Sequence, residues 1–482
     1  MFRRSSVTVS KSLKMNKKYV QNQFEKDDDL FIRNFSIDKT PAFIAGIQGL
    51  VDKQAIAQTI LAPLAKITGT ISCDFIMNAL SSVFVQEIDS LEQAIELMMY
   101  GNVALFVDGF KTSVVIDVSA FEQRSIEEPK NEVVIRGPHV GFIEDLTVNL
   151  SLIRRILHNK HLKVESDYLG QKTKNKIALL YVKGIAYPKL IDNVQMKLNH
   201  ISVDAVLDSG YVEQLIEPGR WSFFPTVRHT ERPSTVAASL LEGRIAILVD
   251  GSPTALLVPH LFLDNFMNPE DYNSRPFYSS MMRIVRLIGF FLSTQLPALY
   301  ISIENFHKEV VPSSLLLSVA GAREGVPFPL PLESILMVFA FELIKETGIR
   351  MPQALGPSIS LVAGLILGQA AVEAGFVGIP TVIIVALAGL SSFLIPFLKE
   401  TIVLIRILLI IPASFVGLYG LILTDILILL HIVSLRSFGV PYLAPISPTY
   451  LEDWRDTFFR FTTNNVSGAD KRLRHNIGKY IK

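Results

Sequence analysis

The stretch "IVRLIGFFLSTQLPALYISI", residues 284–303, decides how the chain divides. It is long and apolar enough to cross a bilayer, and Arg283 and Arg286 stand at its entrance, where they are expected to reach cytoplasmic headgroups. Before it, charged residues are spread through positions 1–280; after it, residues 284–435 are a succession of apolar runs rich in Leu, Ile, Val, Gly and Pro. The whole chain has 482 residues, 49% hydrophobic and 19% charged, and a mean hydropathy of +0.37. Those values suit a soluble half joined to a membrane half.

The expected fold class is an α/β soluble N-terminal region of two related subdomains, followed by an α-helical polytopic membrane domain. The soluble half shows one order of signals twice. "PAFIAGIQGL" (41–50), "VDKQAIAQTILAPLAK" (51–66), "LEQAIELMMYG" (91–101) and "NVALFVDGF" (102–110) are followed in the same order by "KIALLYVKGI" (176–185), "AYPKLIDNVQMKLNHI" (186–201), "VAASLLEG" (236–243) and "RIAILVDGSP" (244–253). Each copy reads as a buried strand, a helix, a second helix closed by glycine, and a strand ending in Asp-Gly. Asp108 and Asp250 are therefore read as turn residues rather than ligand carboxylates.

Composition sets the expected limits: a basic disordered arm at 1–30, subdomains at 31–135 and 136–275, a helical transmembrane domain at 276–440, and a basic cytoplasmic tail at 441–482. The amino-terminal arm lacks the apolar core and cleavage site of a signal peptide, so the soluble half is expected in the cytoplasm. The stretch "EPGRWSFFPTVRHTERPS" (217–234) is expected to be an ordered loop that shelters Trp221, Phe223 and Phe224.

Four full spans are expected in the membrane half: 284–303, 359–378, 380–397 and 402–435. The last is either one long helix kinked at Pro412 or two segments. Between the first two spans, 312–348 reads as two apolar pieces, each shorter than a span. The positive tail and the cytoplasmic first half place both termini inside, which requires an even number of crossings.

"LVAGLILGQAAVEAGFVG" (361–378) carries the candidate functional pattern. Gly364, Gly368, Ala371 and Gly375 form a small-residue stripe suited to close helix packing, and Val362, Ile366, Gln369 and Glu373 form an adjacent stripe, the candidates for pore lining or gating. A carboxylate facing lipid near the bilayer centre costs roughly 2.5–3.5 kcal/mol, so Glu373 is expected to face a neighbour, a cavity or a pore. Arg323, Glu324, Glu333 and Arg406 are open as its partners.

The strings "VVIRGPHVGFIEDLTVNLSLIRRI" (133–156), "FPTVRHTERP" (224–233), "LLEGRIAILVDGSP" (240–253), "GAREGVPFP" (321–329), "LGQAAVEAG" (367–375) and "SFGVPYLAP" (437–445) resemble the A-subunit family of bacterial spore germination receptors, in that family's order. The resemblance implies a multi-pass protein of the spore inner membrane with a cytoplasmic amino-terminal domain. It implies assembly with a transporter-like B subunit and a lipoprotein C subunit, the sensing of small nutrients, and early ion release at germination. It further implies that the A subunit oligomerises as a nutrient-gated ion channel, with nutrient binding mainly on the B subunit. Within the first string, Arg136, His139, Glu144, Asp145, Arg154 and Arg155 are candidates for an interface between copies or between subdomains.

Other classes compete with this reading. Phosphate-binding loops, dinucleotide fingerprints, zinc-protease helices and nucleophile elbows are missing from the sequence, so no catalytic residues, cofactor or metal are expected. A secondary transporter or a non-conducting signalling scaffold is the alternative. The net charge of +1 favours no nucleic-acid partner.

Overall fold

The computed structural model describes residues 7–69, 72–82, 84–119, 129, 132, 137–219, 221–350, 356–449 and 459–460, with the backbone alone at 349, 356–361, 363 and 365. The first half opens with α1 (Leu13–Gln23) and builds a five-stranded sheet from β1 (Leu30–Ile37), β2 (Thr40–Ile47), β3 (Val85–Ile88), β4 (Asn102–Val107) and β5 (Ser113–Asp117). Its strand order is β1-β2-β4-β5-β3, antiparallel at every pairing. Alternation along β2 and β4 sends Phe43, Ala45, Ala104 and Phe106 to one face, where α1 and α2 (Leu91–Met98) pack, and Ile44, Val103 and Leu105 to the other, covered by the helical segment around Ile56, Ile60 and Leu64.

The second half repeats this plan. After α3 (Leu146–Ile156) come β6 (Leu162–Leu169), β7 (Asn175–Val182), α4 (Pro188–Asn199), α5 (Ser209–Ile216), β8 (Arg228–Thr230), α6 (Pro233–Leu241), β9 (Ile245–Val249) and β10 (Ala255–Val258). Strand order β6-β7-β9-β10-β8 matches the first sheet position for position. Gly101 and Gly243 both take φ near +90°, the left-handed conformation that closes a helix before its strand turns in.

The duplication reaches single hydrogen bonds. Buried Asn16 accepts from Ser10 N (2.9 Å) and donates to Ser10 O (2.6 Å); buried Asn149 does the same with Ile143 N (2.9 Å) and Ile143 O (2.5 Å). Asp108 Oδ1 accepts from Leu13 N (3.1 Å) and Asp250 Oδ1 from Leu146 N (3.2 Å), so each Asp-Gly turn also receives the first amide of its helix. These contacts correct the disordered arm expected at 1–30: from residue 7 onward it is ordered, because Val20 and Phe24 of an amphipathic α1 are buried against the first sheet.

The helical region follows as α7 (Pro276–Phe306), α8 (Ser313–Ala322), α9 (Leu330–Arg350), α10 (Gly356–Glu373), α11 (Ile379–Ser392), α12 (Lys399–Val416) and α13 (Leu418–Ser434). α7 is long and apolar enough to cross a membrane, and the bent pair 379–392 with 396–416, turning by 112°, qualifies if counted as one span. One open alternative is decided here and one expectation changes. The run 402–435 is two helices that reverse at Gly417 (φ +65°), with Pro412 inside the first. The break at 323–329 leaves α9 with 21 residues rather than a short piece.

Arg283 and Arg286 do not reach outward to headgroups. Both are buried on Asp271, which the short helix Glu270–Asn273 carries alongside α7. Arg286 holds both carboxylate oxygens at 2.8 Å, and Arg283 Nε donates to Oδ2 at 3.2 Å. After α13 the chain returns to the second sheet, where Phe438, Val440 and Ala444 join its core and Tyr442 O accepts from Phe262 N (2.9 Å). The expected tail at 441–482 thus begins as packed structure, and Arg460 donates to Tyr272 O (2.8 Å) beside the head of α7.

Replacing Asp271 by Ala leaves two buried guanidinium groups without their carboxylate, and removing one partner of such a cluster costs about 3–5 kcal/mol. Thermal unfolding of the solubilised full chain is expected to fall clearly for Asp271→Ala; an unchanged midpoint contradicts this account of the junction.

Candidate functional site

Helix α10 places the expected site at one end of the helical region. Gln369 Nε2 donates to Glu373 Oε1 at 2.8 Å, an i, i+4 pair on an exposed face. Val362 and Ile366 are exposed as well, 50% and 61%. Glu373 is the last residue of the helix, not a mid-helix group. A carboxylate there faces the negative end of the helix dipole, and the amide of Gln369 offsets part of that cost.

The small-residue stripe divides. Gly364 has no atom within 4 Å of where a Cβ would sit, and at Gly368 the nearest is Val382 Cγ1 at 3.9 Å; Ala371 is half-buried. Gly375 lies beyond the helix with φ +69°. Phe376 N donates to Ala371 O (2.9 Å) and Gly375 N to Val372 O (3.0 Å), the paired bonds that end a helix in a left-handed cap. Its glycine is used for backbone conformation, so the stripe along the helix is Gly364, Gly368 and Ala371.

Of the residues open as partners of Glu373, Arg323, Glu333 and Arg406 are engaged elsewhere, and Glu324 is exposed. Arg323 Nη2 donates to Glu333 Oε2 (3.3 Å), with Glu304 at 3.9 Å, and the buried Glu333 accepts from Gly378 N (2.7 Å) through its other oxygen. Arg406, fully buried in α12, donates to Ser293 O (2.7 Å), Ala388 O (3.3 Å) and Glu342 Oε1 (3.4 Å), tying α12 to α7, α11 and α9.

The interface candidates separate by role. Arg154 is buried between the two α/β halves: Nη2 meets Asp27 Oδ1 at 2.6 Å, Nε meets Asp29 Oδ2 at 3.2 Å, and Nη1 donates to Leu162 O at 3.2 Å. Asp145 caps α3 by accepting from Thr147 N and Val148 N. Glu144 accepts from Gly251 N through its backbone. His139 and Arg155 are exposed, and Arg136 lies outside the described residues.

The sequence reading missed the seam between the second α/β half and the helices. Its loop touches two helix ends: Ser222 Oγ is 2.9 Å from His431 Nε2 in α13, and Thr401 Oγ1 at the start of α12 donates to Phe223 O. Phe224 is buried as expected, against Phe262 and Tyr442, whereas Trp221 is 96% exposed. Beside the loop, burial and then the charges of Glu217 and Glu400 push the Glu213 carboxyl up to about 7.

A family model described as Bacillus/Clostridium GerA spore germination protein matches residues 18–471. The chain belongs to this GerA family. Spore germination protein KA of Bacillus subtilis (strain 168) is 40% identical to it over 463 residues, covering 94% of this chain and 85% of that protein. Spore germination protein GerLA of Bacillus cereus is 36% identical over 470 residues, covering 95% and 94%. The crystal structure of the N-terminal domain of the A subunit of the Bacillus megaterium spore germinant receptor GerK3 aligns with a TM-score of 0.44 at 32% identity, covering 54% of this chain and 99% of that one. GerA membership links the chain to spore germination.

Glu213 gives the seam a pH signature. Its folded pKa of about 7 lies above the ordinary glutamate value of 4.5, so between these limits the folded state holds the extra proton and stability falls as pH rises. With allowance for partial exposure the loss is of order 2 kcal/mol. Melting curves between pH 5 and about 8 are expected to show this slope in the parent chain and a flatter one in Glu213→Gln; identical slopes overturn the assignment.

Proposed function

We propose that this chain is the A subunit of a nutrient-responsive spore germinant receptor, in which several copies surround an ion path lined by α10. The observation that carries the reading is the exposed face of α10. Val362, Ile366, Gln369 and Glu373 together with the uncovered Gly364 present an apolar and carboxylate-bearing surface that no other described part of the chain packs over. In lipid, an ionised Glu373 is costly; against neighbouring copies around water it is not. A ring of such carboxylates favours cations.

The placement in the spore inner membrane draws on two supports. One is the family. The other is the outward surface of the helical region, where Phe291, Leu317, Phe339, Ile383, Phe415, Tyr419 and Leu430 each expose more than half of their area, a pattern unsuited to water. In this reading six helices, α7, α9, α10, α11, α12 and α13, run between the α/β side and the far side, two more than the four spans expected from the sequence, with α11 and α12 counted singly. Near the α/β side, Thr401 of α12 and His431 of α13 meet Phe223 and Ser222 of the loop; at the far side Gly417 rests on Phe306 and Gly378 N donates to Glu333. Six crossings keep both termini in the cytoplasm. Assembly with a transporter-like B subunit and a lipoprotein C subunit completes the receptor, with nutrient recognition on B and conduction on A.

Glu373→Gln keeps the hydrogen bond with Gln369 possible and removes the charge. In lipid bilayers carrying the assembled receptor, cation current is expected to drop roughly tenfold in this variant, with weaker preference for cations over anions. Unchanged current and selectivity at equal receptor levels exclude a pore-lining Glu373. Gly364→Leu is expected to lower the oligomer population seen by cross-linking, and a full oligomer yield removes the packing role.

A further inference from the structure

A cleft of about 730 Å³ lies at the seam, between the second α/β half and the near ends of α12 and the segment before it. Its lining carries both signs of charge. The side chain of Arg228, only 9% exposed, feels the charges of Glu132 and Asp264 but makes no hydrogen bond or ion pair among the described residues, and its Nε and Nη2 are both buried without a partner. The guanidinium lies 4.5 Å over the ring of Phe397, which fixes its plane. Nε and Nη2 form one edge of the guanidinium, the two-pronged donor that matches the paired oxygens of a phosphate or carboxylate. An arginine left this way in a protein interior is costly, and such a group calls for a bound counter-charge.

The same cleft is lined by the carboxylates of Glu132, Glu213, Glu217, Glu231 and Glu400, with Lys399 next to Glu400 in the chain. Glu217 Oε1 is occupied by Thr226 N (2.8 Å) and Thr226 Oγ1 (2.9 Å). The carboxylates of Glu213 and Glu400 have no hydrogen-bonded partner among the described residues, and their mutual repulsion is part of what raises Glu213. A simple anion seated on Arg228 meets these carboxylates, and a simple cation seated among them leaves Arg228 unpaired. A ligand with an anionic and an ammonium end a few ångströms apart satisfies both. Phe223 and Leu404 add apolar surface where the cleft meets the helices.

We propose that this cleft holds a phosphoethanolamine zwitterion as the headgroup of a membrane lipid, with its phosphate on Arg228 and its ammonium between Glu213 and Glu400. The lipid source rests on the reading that the helices lie in a membrane, since the seam then sits at headgroup depth with Leu404 toward the acyl chains. A methylated ammonium cannot donate hydrogen bonds to the carboxylates, so phosphatidylcholine fits less well. Phosphatidylglycerol offers the phosphate but no cation.

The test is thermal unfolding of the detergent-solubilised full chain with added phosphatidylethanolamine, phosphatidylglycerol or phosphatidylcholine, and separately with soluble phosphoethanolamine. Phosphatidylethanolamine is expected to raise Tm by about 2–4 °C, with little from the other two lipids. Arg228→Gln is expected to abolish the rise, and Glu213→Gln with Glu400→Gln to remove the preference over phosphatidylglycerol. Equal responses of the parent chain to all three lipids overturn the proposal without reference to any variant. A rise with soluble phosphoethanolamine and none with the lipid keeps the zwitterion site and overturns the lipid source. Flotation with vesicles keeps the two readings apart. A chain that floats and shows no headgroup preference loses this site alone. One that does not float loses the membrane reading, and the soluble arm still decides the site.

Discussion

The buried carboxylate of Asp271 fixes where the helices start. With Arg286 on both of its oxygens and Arg283 on one, a length of α7 that carries two positive charges lies beneath the α/β half rather than in water. From that anchored end α7 becomes the axis of the helical region. Arg406 reaches it through Ser293 O, Gln295 Nε2 donates to Asp425 Oδ1 (2.7 Å) in α13, and Phe306 at its far end receives Gly417, where α12 reverses into α13. Arg244 does similar work one step earlier, holding Asp264 with contacts of 2.6 and 3.0 Å at the exit from the second sheet. Charges inside this protein are thus mostly joints between elements, satisfied in pairs because a lone one is costly there.

The duplication was legible because it is written in period-two burial, glycine caps and Asp-Gly turns, all of which act over a few residues. What escaped was the helix that opens each copy. "SLKMN" (12–16) and "DLTVN" (145–149) share Leu and Asn at matching places, yet Arg3, Arg4, Lys11, Lys14, Lys17 and Lys18 made the segment read as a solvated arm. The missed signal was the Asn, whose side chain folds back on the preceding backbone in both halves. Arg283 and Arg286 misled for the opposite reason: a positive residue at the head of an apolar run satisfies the headgroup pattern equally well whether it meets lipid or a carboxylate brought in by tertiary structure. On α10 the residue types were read from the sequence, but helix length was not, and the cap at Gly375 moved Glu373 from the middle of an oily stretch to the end of a helix. Arg228 and Glu213 were out of reach, since the seam that gathers them joins segments far apart in the chain.

Family membership and the helical surface bear on function from different sides. Similarity to GerA proteins runs through both the α/β part and the helices. On α10 a polar pair shares the free side with a bare glycine, and α9 ends in an exposed Glu346–Arg350 pair, whereas Arg406 and Glu333 are buried against neighbouring helices.

Arg154 has a mechanical consequence. Duplicated α/β halves commonly work as a clamshell that opens and shuts about a flexible strap, and such a motion needs an interface that separates at small cost. Here the facing surfaces are stitched by a guanidinium shared between Asp27 and Asp29 and buried to 1% exposure, and parting them strands charge in an apolar setting. The two halves are therefore built to turn together as a single stiff arm, and any displacement of the first sheet is carried whole to the second, which receives the returning chain after α13 through Phe438, Val440 and Ala444.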